Sequence, residues 1–533
     1  MKKLPLGMQS FRKIIEGDCV YVDKTQYVYD LINDSSYYFM SRPRRFGKSL
    51  LLSTIGDAFS GERELFKGLA LYDSGFNFEK HPVIRLDMST LTYKTPETLE
   101  QSLLMELKAH AETEGIEITY DMPPDVFKTL IRKLYLKYNK GVVVLIDEYD
   151  KPILEHLDDI EVAETIRKNL RNFYGMLKPL DEYLKFTFIT GVTKFTKTSI
   201  FSELNNLRDI TLSKNYAGIC GIAIEDLNTY FSEHIKHLEA SEELKQYDSI
   251  SDEILAWYDG YSWDGKTRFI NPFSLLNFFR EAKFEEYWFD SGTPKFLMDL
   301  IKKRPEGYKD LNNIKMSERG MNSFNIQNLA VGPLMFQSGY LTVKEVLPGT
   351  APAIYLLDIP NHEVRSAFNI NILIEFTGKD EVFAESVYSD VKSSLEAGNL
   401  QGMLDVLKSL FSSIPYQLHI SNEYYYHSIF YAVLNLLGFK MSAEVSVSGG
   451  IVDGILELGG RVYVMELKYK RCKNDASQEE KRELFDEALS EGMKQIEDRG
   501  YCKKYEGSGK AVYRVAFAFL GRSDIEMAVE VFG

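Results

Sequence analysis

The sequence has little cysteine, no excess of positive charge and no long apolar run. Its 533 residues contain four cysteines and no C-x-x-C pair, which argues against a disulfide framework and a cysteine zinc site. A formal net charge of -15 argues against a protein that coats nucleic acid through overall charge, although a local basic groove is compatible with it. No apolar run reaches the roughly 18 residues of a membrane-spanning helix. These absences predict a cytoplasmic protein in a reducing compartment, without a membrane partner.

The chain begins with Met1-Lys-Lys, as signal peptides do, but polar residues at Gln9, Arg12 and Lys13 interrupt any apolar segment. Secretion is therefore not expected. Hydrophobic residues make up 44% of the sequence, which is enough to build the cores of the domains that this length allows. Neither an internal repeat nor a low-complexity tract is present.

An uncharged stretch from Gly141 to Ile146 runs directly into two carboxylates, Asp147 and Glu148. Such a run is typical of a buried central strand in a parallel sheet, and ligands bind outside the carboxyl ends of such strands. This is the pattern of a Walker B strand, in which Asp147 would hold Mg²⁺ and Glu148 would orient the water that attacks a γ-phosphate. Taken alone, the stretch fits a core strand with an acidic helix cap equally well.

A second pattern about a hundred residues upstream favours the nucleotide interpretation. Tyr37–Met40 is predicted as a strand, the following loop ends in Gly47-Lys48-Ser49, and an apolar-periodic helix runs on to Gly61. Backbone N–H groups at such a helix start can cradle phosphates, while Lys48 can reach the β- and γ-phosphates. The usual first glycine of G-x-x-x-x-G-K-[ST] is replaced by Arg42.

Together, the loop and the acidic strand predict a site for ATP and Mg²⁺. The Ser49 hydroxyl and the Asp147 carboxylate are the predicted metal ligands. The predicted nucleotide-binding residues are Arg45, Phe46, Gly47, Lys48, Ser49, Leu50, Asp147 and Thr190. Thr190 enters this set because it lies at the polar end of a further predicted strand, Leu184–Thr193, and that end should neighbour the Asp147 strand. Thr190 or Thr193 would sense the γ-phosphate, unless these threonines are only structural.

Three other segments of this half have a simple local interpretation. His81–Asp87 is predicted as a strand, and Thr95–Glu114 as a helix capped by Thr95. Asp23 and Gln26 fit a capping box at the start of an amphipathic helix. The alternative is that the segment from Asp23 to Thr25 contacts the nucleotide.

Five short motifs occur in this half of the chain: Leu4-Pro-Leu-Gly, Tyr21-Val-Asp-Lys-Thr, Ser41-Arg-Pro-Arg-Arg-Phe-Gly-Lys-Ser, Ile146-Asp-Glu-Tyr-Asp-Lys-Pro and Ile189-Thr-Gly-Val. Together they resemble one known protein family, the bacterial AAA-ATPase-like proteins, whose members typically carry a C-terminal PD-(D/E)XK nuclease-like domain. In that family the loop usually reads Arg-Pro-Arg-Arg-Phe-Gly-Lys-[Ser/Thr], so the resemblance implies that Arg42 is a family trait.

Residues 216–375 are predicted as a helical lid followed by a winged-helix-like arm. Ile224–Ala240 and Glu242–Tyr258 are the expected lid helices, and Asn271 with Pro272 is a helix start. The arm is expected to run helix, strand, turn, strand and helix, in the order of a winged helix. Such modules bind DNA or proteins, although here we favour an intramolecular arm. Its predicted elements are the helix Ile326–Gly339, the strands Tyr340–Val343 and Ile354–Asp358, and the helix His362–Phe368.

A second set of chemical groups follows in residues 376–533, after two helices, Ser386–Ala397 and Gln401–Phe411. Arg461–Lys468 is predicted as a strand in which Glu466 and Lys468 share one face. A glycine turn joins it to the adjoining predicted strand, Ile451–Glu457, which can bring Asp453 beside them. Two carboxylates and a lysine are what Mg²⁺-dependent phosphodiester hydrolysis requires. Asp453 and Glu466 would hold the metal, and Lys468 would position the nucleophile or neutralise developing charge.

This Asp…Glu-x-Lys pattern is that of PD-(D/E)XK nucleases, and two further residues support it. Glu423 would be the upstream helix acid, and Gln495, on a predicted helix Gln478–Asp498 with Tyr501 beyond it, resembles the trailing Gln-and-Tyr element of the matching subgroup. The family's Gly-Arg-Ile-Asp appears here as Gly450-Ile-Val-Asp453. The missing arginine puts substrate contact in doubt, but not the metal ligands. Without these supports, a surface Glu-x-Lys pair on an amphipathic strand would be the simpler interpretation.

Two neighbouring features are not predicted to be catalytic. His427 shares a predicted helix face with Glu423, but a single histidine in a tyrosine-rich helix is more often structural. The basic run Lys468–Lys473 fits a phosphate-contacting edge with a stacking aromatic, and solvated strand-end charge fits it equally well.

The sequence thus predicts a multidomain α/β protein: an AAA-like P-loop ATPase core (1–215), a lid and winged-helix-like region (216–375) and a restriction-endonuclease-like domain (376–533). The predicted catalytic residues are Glu148 in the ATPase and Asp453, Glu466, Lys468, Glu423 and Gln495 in the nuclease. The cofactors would be ATP and Mg²⁺, and the partners nucleic acid, with DNA favoured, and a further copy of the chain. The alternative is a nucleotide-dependent switch or scaffold whose C-terminal domain binds nucleic acid or protein without cleaving it.

Overall fold

The computed structural model describes most of the chain and divides it into two compact units. Unit 1 is Met1–Leu297 with Asn313–Glu363, and unit 2 is Met298–Asn312 with Val364–Gly533. The three-part division drawn from the sequence stays a prediction. The described residues are 1–194, 200–201, 204–288, 297–298, 300–301, 314–322, 330–414, 428–430, 432–434, 454–458, 460–473, 476–505, 507, 509–521 and 524–532.

The first part of unit 1 alternates helices and strands. Its elements are α1 (Phe11–Glu16), α2 (Thr25–Asp34), β1 (Tyr37–Ser41), α3 (Lys48–Phe59), α4 (Ala70–Asp73), β2 (Val83–Asp87), α5 (Pro96–Thr113), α6 (Pro123–Tyr138), β3 (Val142–Asp147), α7 (Lys151–Leu154), α8 (Ile160–Gly175), β4 (Leu184–Gly191) and β5 (Arg208–Asp209).

The five strands form one parallel sheet in the order β2-β3-β4-β1-β5. All residues of β1 and β3 are buried, as expected of strands covered on both faces. The predicted strands near residues 37, 83, 142 and 184 are all present. Because β3 lies between β2 and β4, the ends of three strands meet at Asp147, and Asp87 is its register partner on β2.

The remainder of unit 1 consists of α9 (Ile224–Tyr230), α10 (Ser232–Glu239), α11 (Ile250–Tyr258), α12 (Pro272–Glu281), β6 (Ile314–Ser317), α13 (Glu318–Met321), α14 (Val331–Ser338), β7 (Thr342–Leu347) and β8 (Ile354–Asp358). Helices α9 to α12 bury an apolar cluster that includes Phe231, Ile254 and Phe278. Strands β6, β8 and β7 form a three-stranded antiparallel sheet. The winged-helix assignment of this region stays a prediction.

Several local predictions for unit 1 were wrong in detail. The predicted lid helix Ile224–Ala240 is broken at Phe231, and of Glu242–Tyr258 only the part from Ile250 onward is helical. Strand β7 begins at Thr342 and not at Tyr340. Thr95 and Asn271 do cap their helices through their side chains.

The capping box predicted at Asp23 is also wrong. Helix α2 begins at Thr25 without a side-chain cap from Lys24. The Asp23 carboxylate instead accepts hydrogen bonds from the Thr25 N–H (2.8 Å) and hydroxyl (2.7 Å) and from the Ala70 N–H (2.8 Å). Asp23 therefore ties α2 to α4, because a carboxylate can accept several bonds at once.

Unit 2 holds the second sheet. The chain enters this unit inside α15 (His362–Thr377) and continues as α16 (Glu381–Glu396), α17 (Leu400–Ser412), β9 (Gly454–Leu458), β10 (Arg461–Lys470), α18 (Gln478–Asp498), β11 (Ala511–Leu520) and β12 (Asp524–Phe532). The sheet order is β12-β11-β10-β9. β10 and β11 are parallel and are connected through α18, while β9 forms the predicted antiparallel hairpin with β10. The predicted helix Gln478–Asp498 is confirmed.

Candidate active sites

The loop between β1 and α3 ends in a glycine that permits a sharp entry into the helix. Gly47 caps α3 with φ +92°, in the left-handed region that favours glycine. Lys48 follows as the first helical residue, and only 5% of its surface is exposed. Its ammonium group donates to the carbonyl oxygens of Arg42 (3.1 Å) and Pro43 (3.0 Å). The lysine thus lies across the loop and bonds to neutral acceptors.

Arg42, which replaces the usual first glycine, points away from this loop and into the protein. Its guanidinium donates to the carbonyl oxygens of Thr211 (2.7 Å) and Tyr216 (3.3 Å), and it lies 4.0 Å above the ring centre of Trp263. Burial lowers the pKa of Arg42 to about 10, so the group stays charged at neutral pH. Arg42 is therefore a buried support of the loop, a role that the sequence did not reveal.

Aromatic rings hold the rest of the loop. Phe46 is buried with its ring edge-to-face against Tyr261 (4.8 Å between centroids) and Trp263 (5.3 Å). The indole N–H of Trp288 donates to the Arg44 carbonyl oxygen at 3.1 Å. The ring of Phe46 thus anchors the loop, and because Phe46 also lines the apolar cavity beside it, its role as a nucleotide contact stays a prediction.

Asp147 ends β3 and Glu148 follows it, as predicted. The Asp147 carboxylate is fully buried, and its Oδ1 accepts the Glu148 N–H at 3.0 Å. Its Oδ2 is buried without a hydrogen-bond partner among the described residues. Burial raises the pKa of Asp147. The Ser49 hydroxyl and the positive charge of Lys48 lower this pKa in part, but the net shift is upward. A buried carboxylate oxygen and a nearby hydroxyl are a donor set that suits Mg²⁺.

Glu148 adopts an uncommon backbone conformation directly beyond the strand. Its φ of +46° lies in the left-handed region, which non-glycine residues rarely adopt and which is concentrated at functional positions. Glu148 lines the same cavity as Lys48 and Ser49. The four residues predicted to carry the first chemistry therefore lie at one edge of the sheet.

The end of β4 is locked to the acidic strand through Asp150. This buried carboxylate accepts the N–H groups of Val192 (3.1 Å) and Thr193 (2.5 Å) and the Thr193 hydroxyl (2.6 Å). A Cβ on Gly191 would lie 2.3 Å from Asp150 Oδ1, so this approach requires glycine. Thr193 is thus a structural partner of Asp150. The Thr190 hydroxyl is buried and accepts or donates no hydrogen bond among the described residues.

Two adjoining cavities open from the loop. The more polar one has a volume of about 310 Å³ and includes Arg44, Arg45, Lys48, Ser49 and Glu148 in its wall. The other, of about 110 Å³, is mainly apolar. Pro5, Gly47, Leu50, Pro272 and Leu276 line both.

The apolar cavity was not predicted from the sequence. Its wall combines the N-terminal segment, the stretch before α2, the end of the loop with the start of α3, the turn before α9 and the first turns of α12. These elements come together only in the folded chain. Lys24 also lines this cavity, and its ammonium group pairs with the Asp226 carboxylate at 2.5 Å. Tyr21, Phe231 and Leu276 are among the residues that line it.

The second candidate site lies on β10 in unit 2. The Glu466 carboxylate is buried, and the Lys468 ammonium group donates to its Oε1 at 3.0 Å. The same ammonium group donates to Gln495 Oε1 on α18 at 2.7 Å. Three of the predicted nuclease residues are therefore in direct contact. Strand alternation predicted this for Glu466 and Lys468, and Gln495 was included because of the family resemblance.

Gly492 explains how α18 comes so close to β10 and β11. A Cβ at this position would lie 3.0 Å from the Ala516 side chain on β11 and 3.7 Å from Lys468 Cγ. The same helix places Glu487 and Glu491 beside Lys470, with distances of 3.4 and 3.0 Å to its ammonium group. Lys470 is therefore neutralised by carboxylates, which argues against its use as a phosphate-contacting edge.

Other predicted residues of this site lie outside the described residues. These are Asp453, Glu423, His427 and the segment Gly450–Val452. Gly454, which directly follows Asp453 in the sequence, pairs with Met465, which directly precedes Glu466. In the described part of the chain, no group of three or more His, Cys, Asp or Glu side chains is arranged to hold a metal ion. Within those same ranges, no helix combines the length and the apolar character that crossing a membrane requires.

Comparisons with known proteins match a family model to each of the two parts of the chain that bear a candidate site. A family model described as Predicted AAA-ATPase matches residues 5–201, and one described as PD-(D/E)XK nuclease superfamily matches residues 421–528. The chain is also similar, with 34% identity over 540 residues, to an uncharacterized protein in the vnfD 5′ region of Azotobacter chroococcum mcd 1. That alignment covers 100% of this chain and 99% of the relative.

Proposed function

This chain belongs to the predicted AAA-ATPase family and joins that domain to one of the PD-(D/E)XK nuclease superfamily, and on this premise we propose that it hydrolyses ATP and cleaves nucleic acid, with DNA as the favoured substrate. The observation that carries the first half is a single cavity lined by Lys48, Ser49 and Glu148, next to the buried Asp147. A nucleoside triphosphate site needs a lysine and a hydroxyl at a helix start and two carboxylates at the end of a parallel strand, and all four groups are present here.

We propose that the triphosphate and the base of the nucleotide bind in different cavities. The polar cavity takes the triphosphate, because it contains the cations of the loop and the first N–H groups of α3. The apolar cavity takes the base, which Tyr21, Phe231 and Leu276 would contact. Gly47 and Leu50 line both cavities and would lie beside the sugar.

Lys48 would exchange its bonds to the Arg42 and Pro43 carbonyl oxygens for bonds to the β- and γ-phosphates. Ser49 and Asp147 would hold the Mg²⁺ that accompanies the nucleotide and neutralises charge on its phosphates. Glu148 would orient the attacking water, because its side chain faces the cavity directly beyond Asp147.

In unit 2, Glu466 with Asp453 would hold a divalent metal, which would supply an activated water for phosphodiester hydrolysis. Lys468 would stabilise the charge that develops on the scissile phosphate. Gln495 would orient the lysine, since its amide oxygen accepts from the ammonium group at 2.7 Å. Glu423 would complete the acidic set from an upstream position.

One observation favours the switch alternative. Glu487 and Glu491 neutralise Lys470, and the helix that bears them presents further acids, so this side of the sheet is a poor surface for a polyanion. In that alternative, the nucleotide would control self-association or display of unit 2, and unit 2 would bind its partner without cleaving it.

The deciding experiment measures cleavage of plasmid and single-stranded DNA with Mg²⁺ or Mn²⁺, with and without ATP. Wild type is compared with Lys468→Ala and Lys48→Ala. We expect wild type to cut, Lys468→Ala to be inactive, and Lys48→Ala to lose only the response to ATP.

If none of the proteins cuts with either metal while ATP is still hydrolysed, the switch alternative replaces the nuclease. ATP affinity provides a separate test of the first site. An equal and measurable affinity of wild type and Lys48→Ala would mean that Lys48 does not bind phosphate.

A further inference from the structure

We infer that Glu363 joins two walls of the nucleotide cavities and transmits nucleotide binding at the phosphate loop (residues 42–47) to α15, the helix that continues into unit 2. Glu363 is the last residue of unit 1 and lies in the first turn of α15. This role rests on the proposed ATPase function and adds a connection from that site to the next part of the chain. Glu363 and Trp288 are positioning residues in this connection, because neither is among the residues that line the two cavities.

The carboxylate of Glu363 holds two separate elements of unit 1. It is fully buried, and its oxygens accept the Ser274 hydroxyl at 2.9 and 2.8 Å. Its Oε1 also accepts the backbone N–H of Trp288 at 2.7 Å. Ser274 lies in the first turn of α12, the helix that contributes Pro272 and Leu276 to both cavities. One buried carboxylate thus ties a wall of the cavities to Trp288, and removing it would leave buried donors without their acceptor.

Trp288 continues the connection to the phosphate loop. Its indole N–H donates to the Arg44 carbonyl oxygen at 3.1 Å. Its ring also lies beside Gly339, where a Cβ would be 3.2 Å from Trp288 Cζ2 and 2.7 Å from Pro43 Cβ. The loop and the indole therefore meet in a closely packed region, in which a shift of one group displaces its neighbours.

Lys48 is the group through which a nucleotide would change the loop. Its ammonium group donates to the carbonyl oxygens of Arg42 (3.1 Å) and Pro43 (3.0 Å). In the proposed exchange of these bonds for bonds to the phosphates, both carbonyl groups lose their donor. Arg44, whose carbonyl oxygen accepts Trp288, directly follows Pro43. Nucleotide binding would therefore alter the hydrogen bonds of the loop one residue away from the Trp288 contact.

The segment that leads into α15 is fixed on the other side of Glu363. Gly260, beyond the end of α11, has φ +113°, and a Cβ there would overlap the Pro360 carbonyl oxygen. This close approach holds the backbone three residues before Glu363. From His362 the helix runs without a break to Thr377. A change at Glu363 therefore acts on a rigid element that begins at a fixed point, and such an element can carry the change along its length.

The test measures amide hydrogen exchange of α3 and α15 in the full chain, with and without a non-hydrolysable ATP analogue and Mg²⁺. Trp288→Phe removes the indole N–H and keeps the backbone N–H that Glu363 accepts. Glu363→Ala removes the connection itself. Glu363→Gln can keep both bonds, because its amide oxygen can accept from Trp288 while its NH₂ group donates to the Ser274 hydroxyl.

The matched control is Trp257→Phe. It keeps an aromatic ring against His362, where the ring centroids are 6.3 Å apart in wild type. The Trp257 indole N–H donates to no acceptor within the part of the chain that the structure describes, so this variant loses a ring system without losing a bond. Melting temperatures check the fold of every variant, and Trp288→Phe carries the test by itself if Glu363→Ala does not fold.

In wild type we expect the analogue to slow exchange in α3, which binds it, and to slow exchange in the first turns of α15 by about 10-fold, because a ligand stabilises the bonds that it orders. Trp288→Phe and Glu363→Ala should keep the slowing in α3 and lose it in α15. Glu363→Gln and Trp257→Phe should keep both.

A slowing in α15 that persists in Trp288→Phe would overturn the inference and leave the ATPase function intact. Loss of the slowing in Trp257→Phe or in Glu363→Gln would also overturn it, because the effect would then not depend on the two bonds. Failure of the ATPase function itself would be recognised separately, since the analogue would then change exchange in neither α3 nor α15 of wild type.

Discussion

The two candidate sites hold their lysines in different ways. Lys48 bonds to the neutral carbonyl oxygens of Arg42 and Pro43, whereas Lys468 bonds to the Glu466 carboxylate and the Gln495 amide. A phosphate that enters the first site meets an ammonium group whose charge is not neutralised by its present hydrogen-bond partners. In the second site it competes with a carboxylate until a metal ion takes over Glu466. The first site can therefore bind a phosphate directly, whereas the second should bind a metal ion at Glu466 before Lys468 can contact a phosphate.

The largest effect is expected from Arg42, which supports the loop that carries Lys48 in the first site. Arg42→Gly restores the usual first glycine but removes the bonds to Thr211 and Tyr216 and the contact with Trp263. We expect the free energy of unfolding of unit 1 to fall by about 3 to 5 kcal/mol, because buried carbonyl groups and a cavity remain. Chemical denaturation of the full chain measures this. A stable Arg42→Gly protein that binds ATP as wild type does would contradict the assigned role.

A glycine in each unit lies close to a neighbouring side chain, and replacing the two glycines should change stability to different extents. Gly191→Ala places a methyl group 2.3 Å from Asp150 Oδ1 in unit 1, and Gly492→Ala places one 3.0 Å from Ala516 in unit 2. We expect a loss of about 3 kcal/mol for the first and a change within about 1 kcal/mol for the second, where better helix propensity offsets the contact. Thermal unfolding measures both. Equal effects would show that the Asp150 contact is not rigid.

The role of Gln495 is tested by its effect on cleavage. Gln495→Ala removes an acceptor from Lys468 without touching Glu466, so we expect the cleavage rate to fall by about 10-fold. Glu491→Gln, one turn earlier on α18, is the matched control, because that carboxylate pairs with Lys470. An equal loss in both variants would indicate a general effect of the helix and not a specific action on Lys468.

The smallest effect is expected at Asp147. Its buried charge should lower the free energy of unfolding at neutral pH. Burial raises its pKa above the unfolded-state value, so its contribution to stability is full at low pH and is lost as pH rises through the raised pKa. Asp147→Asn should therefore melt higher than wild type near pH 7 with a chelator present, and the gap should close below about pH 4.

The same substitution at Asp150 provides the opposite result as a control. Asp150 accepts from Val192 and Thr193 through both oxygens, so an amide there would turn one acceptor into a donor. Asp150→Asn should lower the melting temperature. If Asp147→Asn also lowered it, the buried carboxylate would be a stabilising group and not a functional one.

The sequence predicted most of what is local in these sites. Lys48, Ser49, Asp147 and Glu148 lie at strand ends and a helix start, and the alternation of β10 placed Glu466 beside Lys468. These relations follow from the period of an element and the direction of parallel strands. The parallel sheet was predicted for the same reason, because its strands are continuous apolar runs.

What the sequence did not reveal depends on contacts between distant segments. The inward orientation of Arg42 depends on Trp263, and the apolar cavity requires Pro5 and Leu276 to meet. The predicted lid helix breaks at Phe231, whose ring stacks on the distant Phe279 with 5.3 Å between centroids. Asp23 was assigned to a local cap because its partner Ala70 is far away in sequence.

The pairing of Arg42 with Trp263 also bears on how such chains are found and altered. A search pattern that demands a glycine at the first loop position passes over this protein, although the phosphate-binding end of the loop is intact. A pattern with arginine at that position and a tryptophan about 220 residues later would recover it. Since the indole face is covered by the guanidinium at 4.0 Å, the two positions should exchange together, as glycine with a smaller residue, in any chain that returns to the glycine loop.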